Sequence, residues 1–104
     1  MRSTIIKKGG VLTAKLSGEL DQHSAAKVRR ELDEALRDPG IRRIEFDLAG
    51  LTFMDSSGIG VILGRYRTVS RRGGSMGIAN AADNVERILR MSGVYTLTTE
   101  RSAQ

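Results

Sequence analysis

The chain has 104 residues, with 17 Lys and Arg against 12 Asp and Glu, a formal net charge of +5, one His and no Cys. A length within or below about 100–200 residues suits one domain, so residues 1–104 read as a single unit. The missing Cys excludes disulfides, thiolate zinc sites, iron–sulfur clusters and Cys nucleophiles, and a lone His excludes a poly-imidazole metal site. The longest apolar runs are three or four residues, far below the ~20 that a membrane helix needs. Arg2, Lys7 and Lys8 precede no apolar signal-peptide core. A cytoplasmic location without a membrane partner is expected.

Residues 4–8 form a β-branched-rich run, and Gly9-Gly10 separates it from residues 11–17. A Gly-Gly pair between two such runs predicts a hairpin. Leu12, Ala14 and Leu16 alternate with Thr13, Lys15 and Ser17, giving one buried face, and Gly18 is expected to end the strand. Between Glu19 and Gly40 the period becomes helical, with Ala25, Val28, Leu32, Ala35 and Leu36 on one stripe. Asp21 and Ser24 are candidate caps. Arg29/Asp33, Arg30/Glu34 and Asp33/Arg37 are opposite charges four apart, the pattern of a solvated helix face. Asp38-Pro39-Gly40 stops the helix.

Residues 41–48 read as a strand, and Leu51, Phe53 and Met54 extend its apolar character to Asp55. A second helix begins at Ser56, with Ile59, Ile62, Leu63, Tyr66 and Val69 on one face, and ends at Gly73-Gly74. Residues 75–80 form a short strand. Val85, Ile88, Leu89 and Met91 mark a third helix closed by Gly93, and residues 94–99 are expected to form a last strand. This alternation predicts an α/β domain with a mixed, mostly parallel sheet, an N-terminal hairpin and alternating helices.

The chemistry concentrates around Asp55-Ser56-Ser57-Gly58, delivered by an apolar segment to a helix start. Hydroxyls there lie beside unpaired backbone N–H groups at the positive end of the helix dipole. The plain reading is an N-cap worth ~1 kcal/mol. Gly60 and Gly64, four apart inside the helix, cost about 1 kcal/mol each relative to Ala, which favours close approach by another backbone. A phosphate loop is poorly supported, because Gly58-Ile59-Gly60 lacks the third glycine of G-x-G-x-x-G. A nucleophile elbow is half present, since Met54 replaces its first glycine. Asp21, His23 and Ser56 can be written as a hydrolase triad, yet His23 sits at a polar helix start. An exposed serine remains, well placed to accept a phosphoryl group. Ser56 and the adjacent Ser57 are not separable by spacing.

Residues 18–23 (Gly-Glu-Leu-Asp-Gln-His), residues 51–66 and Met91-Ser92-Gly93 together resemble the STAS-domain anti-anti-sigma factors. The likeness runs in order from about Thr4 to Thr99, and its Phe53-Met54 and Arg65-Tyr66 matches point to the sporulation branch over the general-stress branch. The resemblance implies a STAS-like domain without enzymatic activity or a cofactor of its own. It implies an anti-sigma factor with serine kinase activity as partner, which uses ATP to phosphorylate Ser56. A PP2C-type serine phosphatase reverses the modification. Asp21 matches a partner-contacting position, and Asp55, Ser56, Ser57, Gly58, Ile59, Gly60 and Gly64 complete the implied surface. Family members usually carry a further helix after the last strand, so with the chain stopping at Gln104 that helix is expected to be absent or reduced.

The basic balance leaves nucleic acid as an alternative. Arg65, Arg67, Arg71 and Arg72 spread around the second helix, and Arg42 and Arg43 open a strand. With only four aromatics, Phe46, Phe53, Tyr66 and Tyr95, a base-stacking platform is not expected. These arginines read mostly as solvated helix faces, with an acidic protein partner as the second reading and nucleic acid the third, so no nucleic-acid partner is expected.

Overall fold

A computed structural model describes residues 1–100. Strand β1 (Arg2–Lys8) and strand β2 (Val11–Leu20) pair antiparallel through the Gly9-Gly10 turn. Both glycines have positive φ, +56° and +78°, which is the backbone of a primed hairpin turn and matches the right-handed strand twist. Helix α1 (Ala25–Ala35), strand β3 (Arg43–Met54), helix α2 (Ser56–Ser70), strand β4 (Ser75–Ala79) and helix α3 (Asp83–Ser92) follow. The sheet order is β1-β2-β3-β4, with β2, β3 and β4 parallel. The crossovers through α1 and α2 run in the same direction across the sheet, and the general rule of one hand for such connections puts both helices on one face, where they pack on each other.

The core sits under those helices. Leu12, Leu16, Ile44, Phe46, Ile62 and Met76 are almost fully buried. Arg43, Glu45 and Asp47 alternate with the core residues of β3 on the opposite, polar face.

Beyond Leu48 the buried residues of β3 change spacing, to Leu48, Leu51 and Met54. Two register shifts against β2, at Lys15/Ser17 and Gly18/Glu19, explain this. Each bulge gives β3 an extra residue, so two residues point outward between inward ones. Gly18 therefore does not end β2: it sits at a bulge with φ +97°, and the strand continues to Leu20. The same bulges turn Phe53 outward, 44% exposed, against the expectation of an apolar continuation into the core.

The strand expected at residues 94–99 is a 3-10 turn at Val94–Leu97. Gly93 caps α3 in the left-handed region. Thr96 and Thr98 hydroxyls then donate to the Gly93 and Tyr95 carbonyls at 2.7 and 2.9 Å. These local bonds compete with extension of the backbone. One strand-like contact survives, the Thr99 N–H donating to the Met76 carbonyl at 2.9 Å. The expectation about a C-terminal helix falls outside the described residues.

The arginines are not mostly solvated. Arg72 donates to the Leu36, Asp38 and Ile41 carbonyls, tying the α1–β3 loop to the end of α2. Arg42 donates to the Arg72 carbonyl at 2.7 Å. Arg43 reaches Glu45, Ser75 and Thr99. Arg65 is 8% exposed between α1 and α2, with Nε 3.0 Å from Asp33. Asp33 therefore pairs across the helices, not with Arg29 or Arg37, and Arg37 pairs with Glu34. Burial pulls the Arg65 guanidinium below its ordinary pKa, opposed by Asp33.

Candidate functional site

The site stands where two parallel strands end side by side. Leu20 pairs with Met54, and the Asp55 N–H donates to the Leu20 carbonyl at 3.3 Å. Asp21 and Asp55, the residues after each strand, are thereby placed as neighbours at the carboxyl edge of the sheet, the usual ligand-facing edge of open α/β folds. Leucine and methionine at those strand ends are buried, which anchors both loops.

Each junction is closed by its own aspartate. The Asp21 carboxylate accepts the His23 and Ser24 N–H groups at 2.9 and 3.1 Å. The Ser24 hydroxyl donates to the Glu19 carbonyl at 2.8 Å, so Ser24 occupies the α1 cap position without capping by its side chain. Desolvation pushes the Asp21 carboxyl up, but the two amide donors outweigh it and hold the group below its ordinary value. At α2, Asp55 is the N-cap in extended backbone, and its carboxylate accepts the Ser57 N–H at 2.8 Å.

That cap separates the two serines. Ser56, the first residue of α2, is exposed, and its hydroxyl has no hydrogen-bond partner among the described residues. Ser57 is half-buried under the cap. The difference was invisible in the sequence, because adjacent positions at a helix start differ only in orientation.

The three glycines also separate. At Gly58 an added Cβ would lie 2.6 Å from Met54 Cγ and 3.0 Å from Leu20 Cγ, so this glycine lets α2 seat on the strand ends. At Gly60 and Gly64 an added Cβ would meet nothing within 4 Å. The close backbone approach expected at that pair is not made within the described residues: Gly60 is exposed and Gly64 half-exposed, leaving bare backbone facing outward. Ile59 is 9% exposed and belongs to the core. Phe53 joins the exposed rim beside Asp55 and was missed; the break in period-two alternation after Leu48 is the signal that could have found it.

No group of three or more potential metal ligands occurs among the described residues, and His23 is exposed, bound through its backbone to Asp21 and not through its ring. The triad of Asp21, His23 and Ser56 lacks the side-chain hydrogen bonds that would link its members. No helix among the described residues is long and apolar enough to cross a membrane.

The signature of the STAS domain matches residues 3–102. Over 88 residues the chain is 46% identical to the anti-sigma F factor antagonist of Paenibacillus polymyxa, covering 85% of this chain and 75% of that one. The anti-sigma-B factor antagonist of Bacillus subtilis is 30% identical over 79 residues, 76% of this chain and 71% of its own. Among solved structures, the anti-sigma factor antagonist SpoIIAA in its unphosphorylated form superposes with a TM-score of 0.81 at 26% identity, covering 98% of this chain and 90% of that one. The phosphorylated form of Bacillus SpoIIAA gives 0.73 at 25% identity, with 98% and 93% coverage.

Proposed function

The chain belongs to the STAS domain family and functions as an anti-sigma factor antagonist, and we propose that Ser56 is its phosphorylation switch. The unphosphorylated protein binds an anti-sigma factor and so releases the sigma factor. That partner is also a serine kinase: it transfers the γ-phosphoryl of ATP to Ser56 Oγ, the hydroxyl proton is lost, and ADP leaves. A PP2C-type phosphatase hydrolyses the ester and restores the serine. The chain itself catalyses nothing and holds no cofactor, and the cycle runs in the cytoplasm. The observation that carries this reading is the exposed Ser56 hydroxyl at the first turn of α2, directly after the Asp55 cap and at the edge where the β2 and β3 ends lie side by side. SpoIIAA, its structural relative, occurs in unphosphorylated and phosphorylated forms. The higher identity to a sigma F antagonist than to a sigma B antagonist favours the sporulation-type branch over the general-stress type.

The energetics set where Ser56 must lie. Phosphorylation adds about −1.5 to −2 charge at pH 7. The N–H groups of the helix end tolerate that charge, with a dipole contribution of roughly 0.3–1 kcal/mol, so the fold survives. Reversing a bound population from 99:1 to 1:99 takes about 5.5 kcal/mol, whereas an exposed repulsive pair supplies at most ~1 kcal/mol. A phosphate forced into a desolvated contact beside Asp55 supplies several. Ser56 therefore belongs inside the interface, with the bare backbone at Gly60 and Gly64 allowing the close approach that desolvation requires.

A pull-down with wild-type and Ser56→Asp protein, followed by phosphopeptide mass spectrometry after incubation with the captured kinase and ATP, tests this. Recovery of an anti-sigma factor by the wild type alone, with phosphate on Ser56, is the expected result. Modification confined to Ser57, or equal capture by both proteins, contradicts it.

A further inference from the structure

The solvent face of α2 carries charge as well as bare backbone. At 100° per residue, Arg67 lies about 20° and Arg71 about 60° around the helix from Ser56. Gly60 and Gly64 fall in the same sector. Both arginines are exposed, and neither forms an ion pair among the described residues. Their neighbours in the chain are committed elsewhere: Arg65 to Asp33, and Arg72 to the carbonyls of the α1–β3 loop. The helix thus buries or ties two of its arginines and leaves free the two that share Ser56's face. Next to the opposite end, the paired ends of β2 and β3 carry acidic residues, Glu19 and Asp21 on one and the Asp55 cap on the other.

We propose that Arg67 and Arg71 form an electrostatic docking patch for acidic side chains of the anti-sigma factor, fixing the direction in which that partner lies along α2. The proposal rests on the reading of Ser56 as part of the partner interface. At 1.5 Å per residue, Arg67 lies about 16 Å and Arg71 about 22 Å along the axis from Ser56. A standard interface of about 800 Å² per partner, some 30 Å across, reaches from Ser56 to this end of the helix and leaves the arginines at its rim. Rim charges act mainly on the encounter: they speed association, make it salt-dependent and disfavour reversed docking, while the dissociation rate is set by the buried centre. A face with an acidic switch end and a basic far end gives the partner one favourable orientation, the one that brings it over Ser56.

Association and dissociation rates with the anti-sigma factor recovered in the pull-down, measured at low and moderate salt, test the patch. Arg67→Glu/Arg71→Glu is expected to slow association about tenfold at low salt, flatten its salt dependence and leave dissociation within about twofold. Arg67→Gln/Arg71→Gln should fall between that variant and wild type. Ser56→Asp, run alongside, is expected to abolish binding. Loss of binding in Ser56→Asp with wild-type rates in the double Glu variant overturns the patch while leaving the switch intact. A change confined to dissociation also overturns it. A nucleic-acid mobility shift by the wild type that the double Glu variant loses assigns the arginines to nucleic acid and overturns it as well.

Discussion

The two ends of α2 are built on opposite rules. At its carboxyl end the polar groups turned towards the α1–β3 loop are consumed by structure, while Arg67 and Arg71, without an ion pair among the described residues, stay free on the Ser56 face. Arg72 holds three carbonyls of the α1–β3 loop, Arg42 returns to the Arg72 carbonyl, and Gly74 lies so close that a Cβ would be 1.8 Å from the Arg42 oxygen. At its amino end, beside the Asp55 cap, the Ser56 hydroxyl has no hydrogen-bond partner among the described residues, the backbone at Gly60 is uncovered and Phe53 is 44% exposed. Satisfied polar groups and filled space mark what holds the fold; unsatisfied hydroxyl and uncovered backbone mark what awaits another molecule.

The largest effect should come from closing the carboxyl end. Gly74→Ala drives a Cβ into backbone, and a loss of about 4 kcal/mol or more in denaturant unfolding is expected. Gly58→Ala meets Met54 and Leu20 side chains that yield more easily; overpacking of about 1–3 kcal/mol is expected, partly offset by better helix propensity. If the two variants are equally stable, the contrast between rigid and yielding neighbours fails.

The next effect concerns the buried arginine. Asp33→Ala leaves the Arg65 guanidinium buried without its counter-charge, and should cost about 2–3 kcal/mol, less than a fully buried pair because Asp33 is half exposed. Arg65→Met fills similar volume, leaves Asp33 to water and should cost under about 1 kcal/mol. A reversed order in urea melts would show that Arg65 stabilises through its charge.

At the amino end the sign inverts. Gly60→Ala and Gly64→Ala meet no atom, so each should raise stability by about 1 kcal/mol through helix propensity. Each should also weaken anti-sigma factor binding by about tenfold or more, equal to ~1.4 kcal/mol. Gain of stability without loss of affinity would remove these glycines from the interface.

The smallest effect is one of pH. Hydrogen bonds from the Asn80 side chain and the Ala49 N–H, aided by Lys15, hold Asp47 below its ordinary value against a desolvation that raises it. With the folded value depressed, the stabilisation is complete above the unfolded value near 4 and is lost as pH falls through the lower folded value. Thermal melts of Asp47→Asn should therefore decline less steeply than wild type from about pH 5 to about pH 2. Parallel slopes would contradict this.

Much of the frame was legible in the chain. The alternation in β2 and the first half of β3, the Gly9-Gly10 turn and the stripe of α1 are local patterns, and each produced its element. The errors have a common cause in contacts that sequence spacing does not contain. Gly18 reads as a terminator, but β3 supplies the extra residues that carry β2 through a bulge. Residues 94–99 have strand-like composition, yet threonine hydroxyls bond back to the preceding turn. Arg65 and Arg72 look like solvated charges until the α1 partners are placed beside them. At the site, the Asp-Ser-Ser-Gly run was visible, whereas the outward turn of Ser56 and the openness of Gly60 and Gly64 depend on the cap and on which helix face meets the sheet.

The switch itself is tested most directly by titrating the anti-sigma factor with the unphosphorylated protein and with protein carrying phosphate on Ser56 alone. A loss of about 5.5 kcal/mol in binding, roughly 10⁴-fold, with unchanged thermal stability is the predicted result. Equal affinity of the two forms would contradict the account.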